Sequence, residues 1–247
     1  KLKTLCRTTY PPAEVRGTRT EQDLLPAYAS YLRDLVDLSD IRRLKVVVDA
    51  GNGAGGFYAQ LMEELGAWIE GSQFLEPDGM FPNHIPNPEN EAAMASISAA
   101  VKRVGADLGV IFDTDVDRSA IIGRKGEPIN RNSLIALISA VILEEHPGST
   151  IVTDSVTSDG LAEYISSKGG KHHRFRRGYK NVINEGIRLN ENGEECWLAI
   201  ETSGHAALRE NHFLDDGAYL AAKLIVYAAK MNREGKQVHE IIARSEE

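Results

Sequence analysis

Three carboxylates stand at alternate positions in Asp113-Thr114-Asp115-Val116-Asp117, and Arg118 follows directly. At that spacing the anions repel one another unless a cation or a basic group lies between them. A hard dication such as Mg2+ takes oxygen ligands and keeps positions open for a phosphate oxygen. Arg118 adds a planar donor suited to a phosphoryl group. The pattern predicts a divalent-metal site with Asp113, Asp115 and Asp117 as ligands, in a protein that handles phosphate; Mn2+ would accept the same oxygen set. A solvated acidic turn is the plainer alternative. Against it stands the apolar run Gly109-Val110-Ile111-Phe112 just upstream, read as a buried strand that delivers the three Asp residues at its carboxyl end. An EF-hand calcium loop requires Gly at its sixth position and Glu at its twelfth; here these are Arg118 and Arg124, which excludes it.

A second polar cluster follows another strand-like run, Leu198-Ala199-Ile200, in Glu201-Thr202-Ser203-Gly204-His205. Glu201 and Ser203 alternate, so extended backbone turns both to one side, an arrangement suited to paired sugar hydroxyls, and His205 can meet an anion. The stretch His172 to Lys180 is locally basic in an acidic chain. Adjacent residues of a strand point to opposite faces, so His172 and His173 are not read as joint metal ligands. Gly51-x-Gly53-x-x-Gly56 matches the dinucleotide fingerprint, with Glu70 at the spacing of its ribose acid. No residue downstream points to hydride chemistry, and the glycines read as a tight strand-to-helix turn.

The elements that must position these residues alternate in type. Asp23–Leu38 has helical spacing, Lys45–Asp49 is a strand, the glycine turn leads into a helix stopped by Gly66, and Glu76–Pro88 is a proline-rich loop. Glu89–Val104 is an amphipathic helix, and Asp107–Phe112 and Ser119–Gly123 are strands. Asn132–Leu143 is a nearly all-apolar helix, Thr150–Thr153 a strand ending at Asp154, and Ser158–Lys168 a capped helix. Val46–Asp49 and Thr150–Asp154 both run from strand to Asp to small-residue loop to helix, an echo that suggests a duplicated design. The expected fold is α/β: two similar three-layer α/β/α domains with mixed, largely parallel sheets. The expected divisions are a lead-in over 1–20, a metal-binding domain over 21–128 and a sugar-binding domain over 129–247. The length of 247 residues suits two such units. A net charge of −8 argues against a nucleic-acid partner. Two cysteines form no disulfide framework and point to the cytoplasm. No apolar run approaches the roughly 18 residues of a membrane span, so no membrane partner is expected. The abrupt start at Lys1, without Met, reads as part of a longer protein.

Two families enter at this point. Phe112-Asp113-Thr114-Asp115-Val116 resembles the opening motif of haloacid-dehalogenase-like phosphatases, in which Asp113 would be the nucleophile and Asp115 the acid/base. That motif normally lies on its domain's first strand, whereas here a βαβα segment precedes it. Five segments in order resemble the α-D-phosphohexomutase superfamily, which includes phosphomannomutase and phosphoglucomutase: Val48–Gly55, Phe81–Pro88, Asp113–Arg118, Arg177-Gly178-Tyr179-Lys180 and Glu201–His205. Their spacing resembles that family's second and third domains. The resemblance implies movement of phosphate between C1 and C6 of a phosphorylated hexose through a bisphosphate. Asp113, Asp115 and Asp117 would hold Mg2+, with Arg118 beside it. Lys180 would act with Arg118 in the cleft, and Glu201, Ser203 and His205 would bind substrate. The family's phosphoserine loop, Thr-Ala-Ser-His-Asn, and its Arg-x-Ser-Gly-Thr phosphate loop are absent from these residues. The missing flanking domains of the same polypeptide are therefore expected partners, and the isolated chain is expected to be inactive. A non-catalytic module binding metal and sugar phosphate is the remaining alternative.

Overall fold

The computed structural model describes residues 2–11, 15 and 17–242. The first half of the chain contains α1 (Leu2–Leu5), α2 (Leu25–Leu35), β1 (Val46–Asp49), α3 (Gly56–Glu64), α4 (Glu91–Val104), β2 (Leu108–Phe112), β3 (Ser119–Gly123) and β4 (Pro128–Ile129). The second contains α5 (Arg131–Glu145), β5 (Thr150–Asp154), α6 (Asp159–Ser167), β6 (Lys171–Phe175), α7 (Tyr179–Glu191), β7 (Cys196–Ile200), β8 (Ala206–Leu208), α8 (Gly217–Arg233) and α9 (Val238–Ile242). Local chemistry sets several ends. Asn90 accepts the Ala93 N–H to start α4, and Gly105, at φ 62°, stops it in the left-handed region. The lead-in is exposed wherever it is described, and Pro12 lies outside the described residues.

Both sheets are mixed. The first runs β1-β2-β3-β4 and the second β6-β5-β7-β8. Pairs β1–β2, β5–β6 and β5–β7 are parallel, whereas β2–β3, β3–β4 and β7–β8 are antiparallel. Parallel bridges from Lys45 to Trp68 and from Asp49 to Gln73 add a frayed edge beside β1. With that edge included, the two units share one connectivity. Segment 68–73 corresponds to β6, β1 to β5, β2 to β7 and β3 to β8, with α3 matching α6 and α4 matching α7. The echo between Val46–Asp49 and Thr150–Asp154 thus extends to the topology of both sheets, β4 apart. β4 ends at Ile129, so the first sheet straddles the division expected at 128/129.

Alternation along the strands produces the layers. Val47, Ile111, Ala120 and Ile122 face α4 through Ala93, Ile97 and Val101. On the second sheet Val152, Cys196 and Ala199 face α7 through Val182 and Leu189. The opposite faces of both sheets join one continuous core that includes α3, α5, α6 and α8. In α5, residues 134–143 are all buried, as an all-round apolar helix requires. Helix α8, from the second unit, packs on β2 and β3 of the first as well as on α5 and β8. The two units are therefore joined by a shared helix rather than by a linker. No helix among the described residues is long and apolar enough to cross a membrane.

Candidate functional site

The Asp113–Arg118 and Glu201–His205 loops are topological counterparts. Each connects the strand beside β1 or β5 to the antiparallel strand that follows. Each is closed by one backbone hydrogen bond: Asp113 N–H to Arg118 O at 3.3 Å, and Glu201 N–H to His205 O at 2.9 Å. The shared core brings them together, and Arg118 and His205 pair in an antiparallel bridge. Two residues that sequence assigns to different domains thus stand in one site.

The acidic loop is held under strain. Val116 adopts φ 68°, a left-handed conformation rare for a β-branched residue. Its carbonyl accepts the N–H of Gly217, the first residue of α8, at 2.9 Å. Gly217 lies so close to the loop that a Cβ would stand 2.6 Å from the Arg118 carbonyl carbon. The glycine turn buttresses the other side. Ala54 N–H donates to Thr114 O at 2.9 Å, and a Cβ on Gly53 would lie 2.6 Å from that same oxygen. A Cβ on Gly56 would collide with the backbone of Leu75. The glycines are thus required by close backbone packing, as the reading of a structural turn anticipates.

The three carboxylates converge, with one oxygen from each of Asp113, Asp115 and Asp117 within 4.8 Å of the others. Asp113 is buried, Asp115 exposed and Asp117 half-buried. Asp113 receives the Arg118 backbone N–H on Oδ1 at 3.2 Å and Arg118 Nε–H on Oδ2 at 2.9 Å. Burial nevertheless pushes the Asp113 carboxyl above its ordinary range; the neighbouring Asp117 adds to the rise and Arg118 opposes it. Asp117 Oδ1 is buried and makes no hydrogen bond among the described residues; its nearest cationic group is Arg118 Nε, at 3.7 Å. Crowded carboxylates, one orphaned oxygen and an all-oxygen donor set fit a hard dication.

His205 ties the loops together. Its Nδ1 lies 2.7 Å from Asp215 Oδ2 and 3.5 Å from Asp117 Oδ2. Burial pulls the His205 pKa down, but the Asp215 hydrogen bond and the charges of Asp215 and Asp117 outweigh it, so the value is raised. Tyr179 stacks on the imidazole with centroids 4.8 Å apart, and Lys180 Nζ lies 5.8 Å from the Tyr179 ring. Lys180 is exposed on the first turn of α7. Glu201 is buried and accepts the Gly178 N–H at 2.5 Å, while Ser203 Oγ–H donates to its other oxygen at 3.2 Å. His172 and His173 diverge, to Thr153 at 2.7 Å and to Glu185 at 3.0 Å, as strand geometry requires.

Several residues here escape sequence reasoning. Asp215 orients His205 and also accepts the Ala206 N–H. Asp216 caps α8 through the Tyr219 N–H and receives the Tyr28 hydroxyl at 2.6 Å. Asp215-Asp216-Gly217 before an apolar run is a readable N-cap signal, but nothing local reveals that it abuts the acidic loop. His84 is a further case. Its side chain is buried, with Nε2 on Asp49 at 3.0 Å and Nδ1 3.0 Å from Ile85 O. It fastens the proline-rich loop to β1. That loop carries Asn87, whose Oδ1 accepts from Arg118 Nη1 at 3.4 Å.

Comparison with known proteins matches this geometry to characterised folds. Residues 26–126 match the family model of phosphoglucomutase/phosphomannomutase α/β/α domain II, and residues 130–247 match domain III. A phosphomannomutase/phosphoglucomutase of Pseudomonas syringae pv. tomato is 37% identical over 212 residues, covering 85% of this chain and 44% of that protein. A phosphoglucomutase of Neisseria gonorrhoeae is 32% identical over 215 residues, covering 86% and 45%. The crystal structure of a phosphoglucomutase/phosphomannomutase family protein from Burkholderia thailandensis aligns with a TM-score of 0.73 and 31% identity, covering 84% of this chain and 44% of that one. The chain thus spans a little under half the length of these relatives.

Proposed function

Because the chain belongs to the phosphoglucomutase/phosphomannomutase family, matched over its second and third α/β/α domains, we propose that it is the metal- and sugar-binding middle of a phosphohexomutase. The activity is the movement of phosphate between C1 and C6 of a hexose phosphate through a bisphosphate intermediate. The observation that carries this reading is the meeting of the two loops at Arg118 and His205, so that a cation held by the acidic loop would lie beside a sugar held by the Glu201–His205 loop. Asp113, Asp115 and Asp117 would hold Mg2+, which when bound supplies neutralisation of phosphoryl charge. Arg118, anchored by Asp113 and Asn87, presents its guanidinium beside that loop. Glu201 accepts sugar hydroxyls, with Ser203 as donor and acceptor next to it. His205, fixed by Asp215, and Lys180 line the approach. Positioning and charge, rather than covalent chemistry by these residues, carry their share of the reaction.

The phosphatase reading would make Asp113 a nucleophile; the match of residues 26–126 and 130–247 to phosphoglucomutase/phosphomannomutase domains favours the ligand role. The domain limits of the parent protein, its cytoplasmic setting and the need for flanking domains belong to the same proposal. The test is calorimetry with mannose 6-phosphate and glucose 6-phosphate. A buried hydrogen bond to a charged group contributes about 1.5–3 kcal/mol, so Glu201→Ala is expected to weaken binding at least tenfold; unchanged affinity for both sugars overturns the reading. The chain alone is expected to show no turnover of either.

A further inference from the structure

Asp49 and Asp154 end the counterpart strands β1 and β5, and both are fully buried. Their surroundings differ. The Asp49 carboxylate is well engaged: it accepts the Gly51 N–H at 2.9 Å and the Gln73 amide at 2.7 Å, and His84 Nε2 lies 3.0 Å from it. The Asp154 carboxylate makes one hydrogen bond among the described residues, accepting the Thr202 hydroxyl on Oδ2 at 2.8 Å. Its Oδ1 is buried and makes none. Arg177 is the nearest cation among the described residues, with Nε 4.0 Å from Oδ2, beyond hydrogen-bond reach. A carboxylate taken out of water is costly unless hydrogen bonds and opposite charge replace its hydration. The hydrogen bonding of this one rests on a single hydroxyl, and that hydroxyl belongs to the loop proposed to hold the sugar.

The register of the sheet explains the meeting. Strands β5 and β7 run parallel with Thr153 opposite Ile200, so Asp154 and Glu201 are the next residues of neighbouring strands. In the loop that follows, Ser203 Oγ–H donates to Glu201 Oε2 at 3.2 Å. Thr202, between them, is buried and gives its hydroxyl back to β5. The other ties close the loop on itself or hold its two ends: Glu201 N–H to His205 O, Gly204 N–H to Glu201 O, Gly178 N–H to the Glu201 carboxylate, and His205 to Asp215. The Thr202–Asp154 bond instead fastens the loop between its two sugar-facing residues to the sheet beneath. We propose that Asp154 is a positioning residue for sugar recognition, which sets the place of the Glu201 carboxylate and the Ser203 hydroxyl through Thr202. Asp154 itself touches no substrate. The role of Glu201 and Ser203 toward a sugar rests on the proposed function; the tie that places them rests on the geometry of this loop.

Three variants of the full chain test this. Thr202→Val keeps the shape and removes the hydroxyl. Thr202→Ser keeps a hydroxyl. Thr150→Val removes a like bond at the other end of β5, where the Thr150 hydroxyl donates to Glu194 at 2.8 Å. The first readout needs no ligand. The Gly178 N–H donates to Glu201 Oε1 at 2.5 Å, so its amide proton resonance, followed by NMR, reports the place of that carboxylate. Thr202→Val is expected to move the resonance upfield, Thr202→Ser to return it and Thr150→Val to leave it. A merely structural role would lower Tm in both Val variants and leave Gly178 in place; that result overturns the inference. The second readout is glucose 6-phosphate affinity by calorimetry. Thr202→Val is expected to bind about tenfold more weakly, the scale of one buried hydrogen bond to a charged group, whereas Thr202→Ser and Thr150→Val match the parent chain. Equal sugar affinity in Thr202→Val and the parent also overturns the inference. Should Gly178 respond as expected while the parent chain binds no glucose 6-phosphate, Asp154 still positions Glu201 and the sugar reading falls. Should Thr202→Val not fold, the double variant Asp154→Leu/Thr202→Val replaces both partners by apolar groups, which leaves no bare carboxylate, and the same two readouts apply to it with the same expectations.

Discussion

Substituting Gly217 by Ala is a sharp probe of how α8 supports the acidic loop. In an ordinary helix the change removes backbone freedom from the unfolded chain and gains roughly 1 kcal/mol. Here the added Cβ meets Arg118 at 2.6 Å from its carbonyl carbon and 2.9 Å from its N and O. All three are backbone atoms, so no rotamer change relieves the contact; either α8 or the loop must shift. Overpacking of this kind costs about 1–3 kcal/mol, and loosening the Gly217 N–H bond to Val116 O adds about 1 kcal/mol. A net loss of about 2 kcal/mol is expected. For a chain of this size that lowers Tm by about 4–8 °C. The loop that moves carries the strained Val116 between Asp115 and Asp117, so Mg2+ affinity is expected to fall with it. Gly79→Ala serves as control, because nothing lies within 4 Å of its added Cβ. Differential scanning calorimetry reads the first effect and Mg2+ titration the second. A Gly217→Ala chain with Tm unchanged or raised would refute the idea that α8 clamps the acidic loop.

Two more outcomes follow from buried pairs. His84→Ala removes the fastening between Asp49 and the proline-rich loop and is expected to cost about 2 kcal/mol, read by urea denaturation together with faster proteolysis within residues 76–88; native stability and protection would exclude the fastening role. Asp215→Asn removes the charge that raises the His205 pKa, so the His205 ring protons should titrate lower by NMR in metal-free buffer. The sign for stability follows: a raised folded pKa gives stabilisation present below the unfolded value of about 6.5 and lost as pH rises through the folded one. The variant should be less stable than the parent chain at pH 5 and converge on it at alkaline pH; a constant difference across that range would contradict this.

Much of the site is legible locally because it sits where strands end. An apolar run followed by alternate carboxylates, or by Glu-Thr-Ser-Gly-His, shows both the strand and the groups it delivers. Residues that act across the chain are not legible in this way. The pairing of Arg118 with His205 depends on α8 packing under the first sheet, a tertiary event without a local pattern. Asp215 looks like half of an N-cap, and only the fold shows that Asp216 caps while Asp215 orients the imidazole. Strand β6, Lys171-His172-His173-Arg174-Phe175, carries polar residues because it lies at the sheet edge, so it reads as a charge run. The edge segment 68–73 pairs only through isolated bridges, and the duplicated topology is therefore far plainer in the structure than in the letters.

The claim on which the rest depends is that the acidic loop binds a divalent cation. Calorimetric titration of Mg2+ into the chain and into Asp115→Asn tests it directly, because Asp115 is exposed and its replacement leaves the fold intact, as an unchanged Tm will verify. The account predicts one Mg2+ per chain and an affinity at least tenfold weaker in the variant. Equal affinity in the two chains, or no saturable binding by the parent chain, would contradict it.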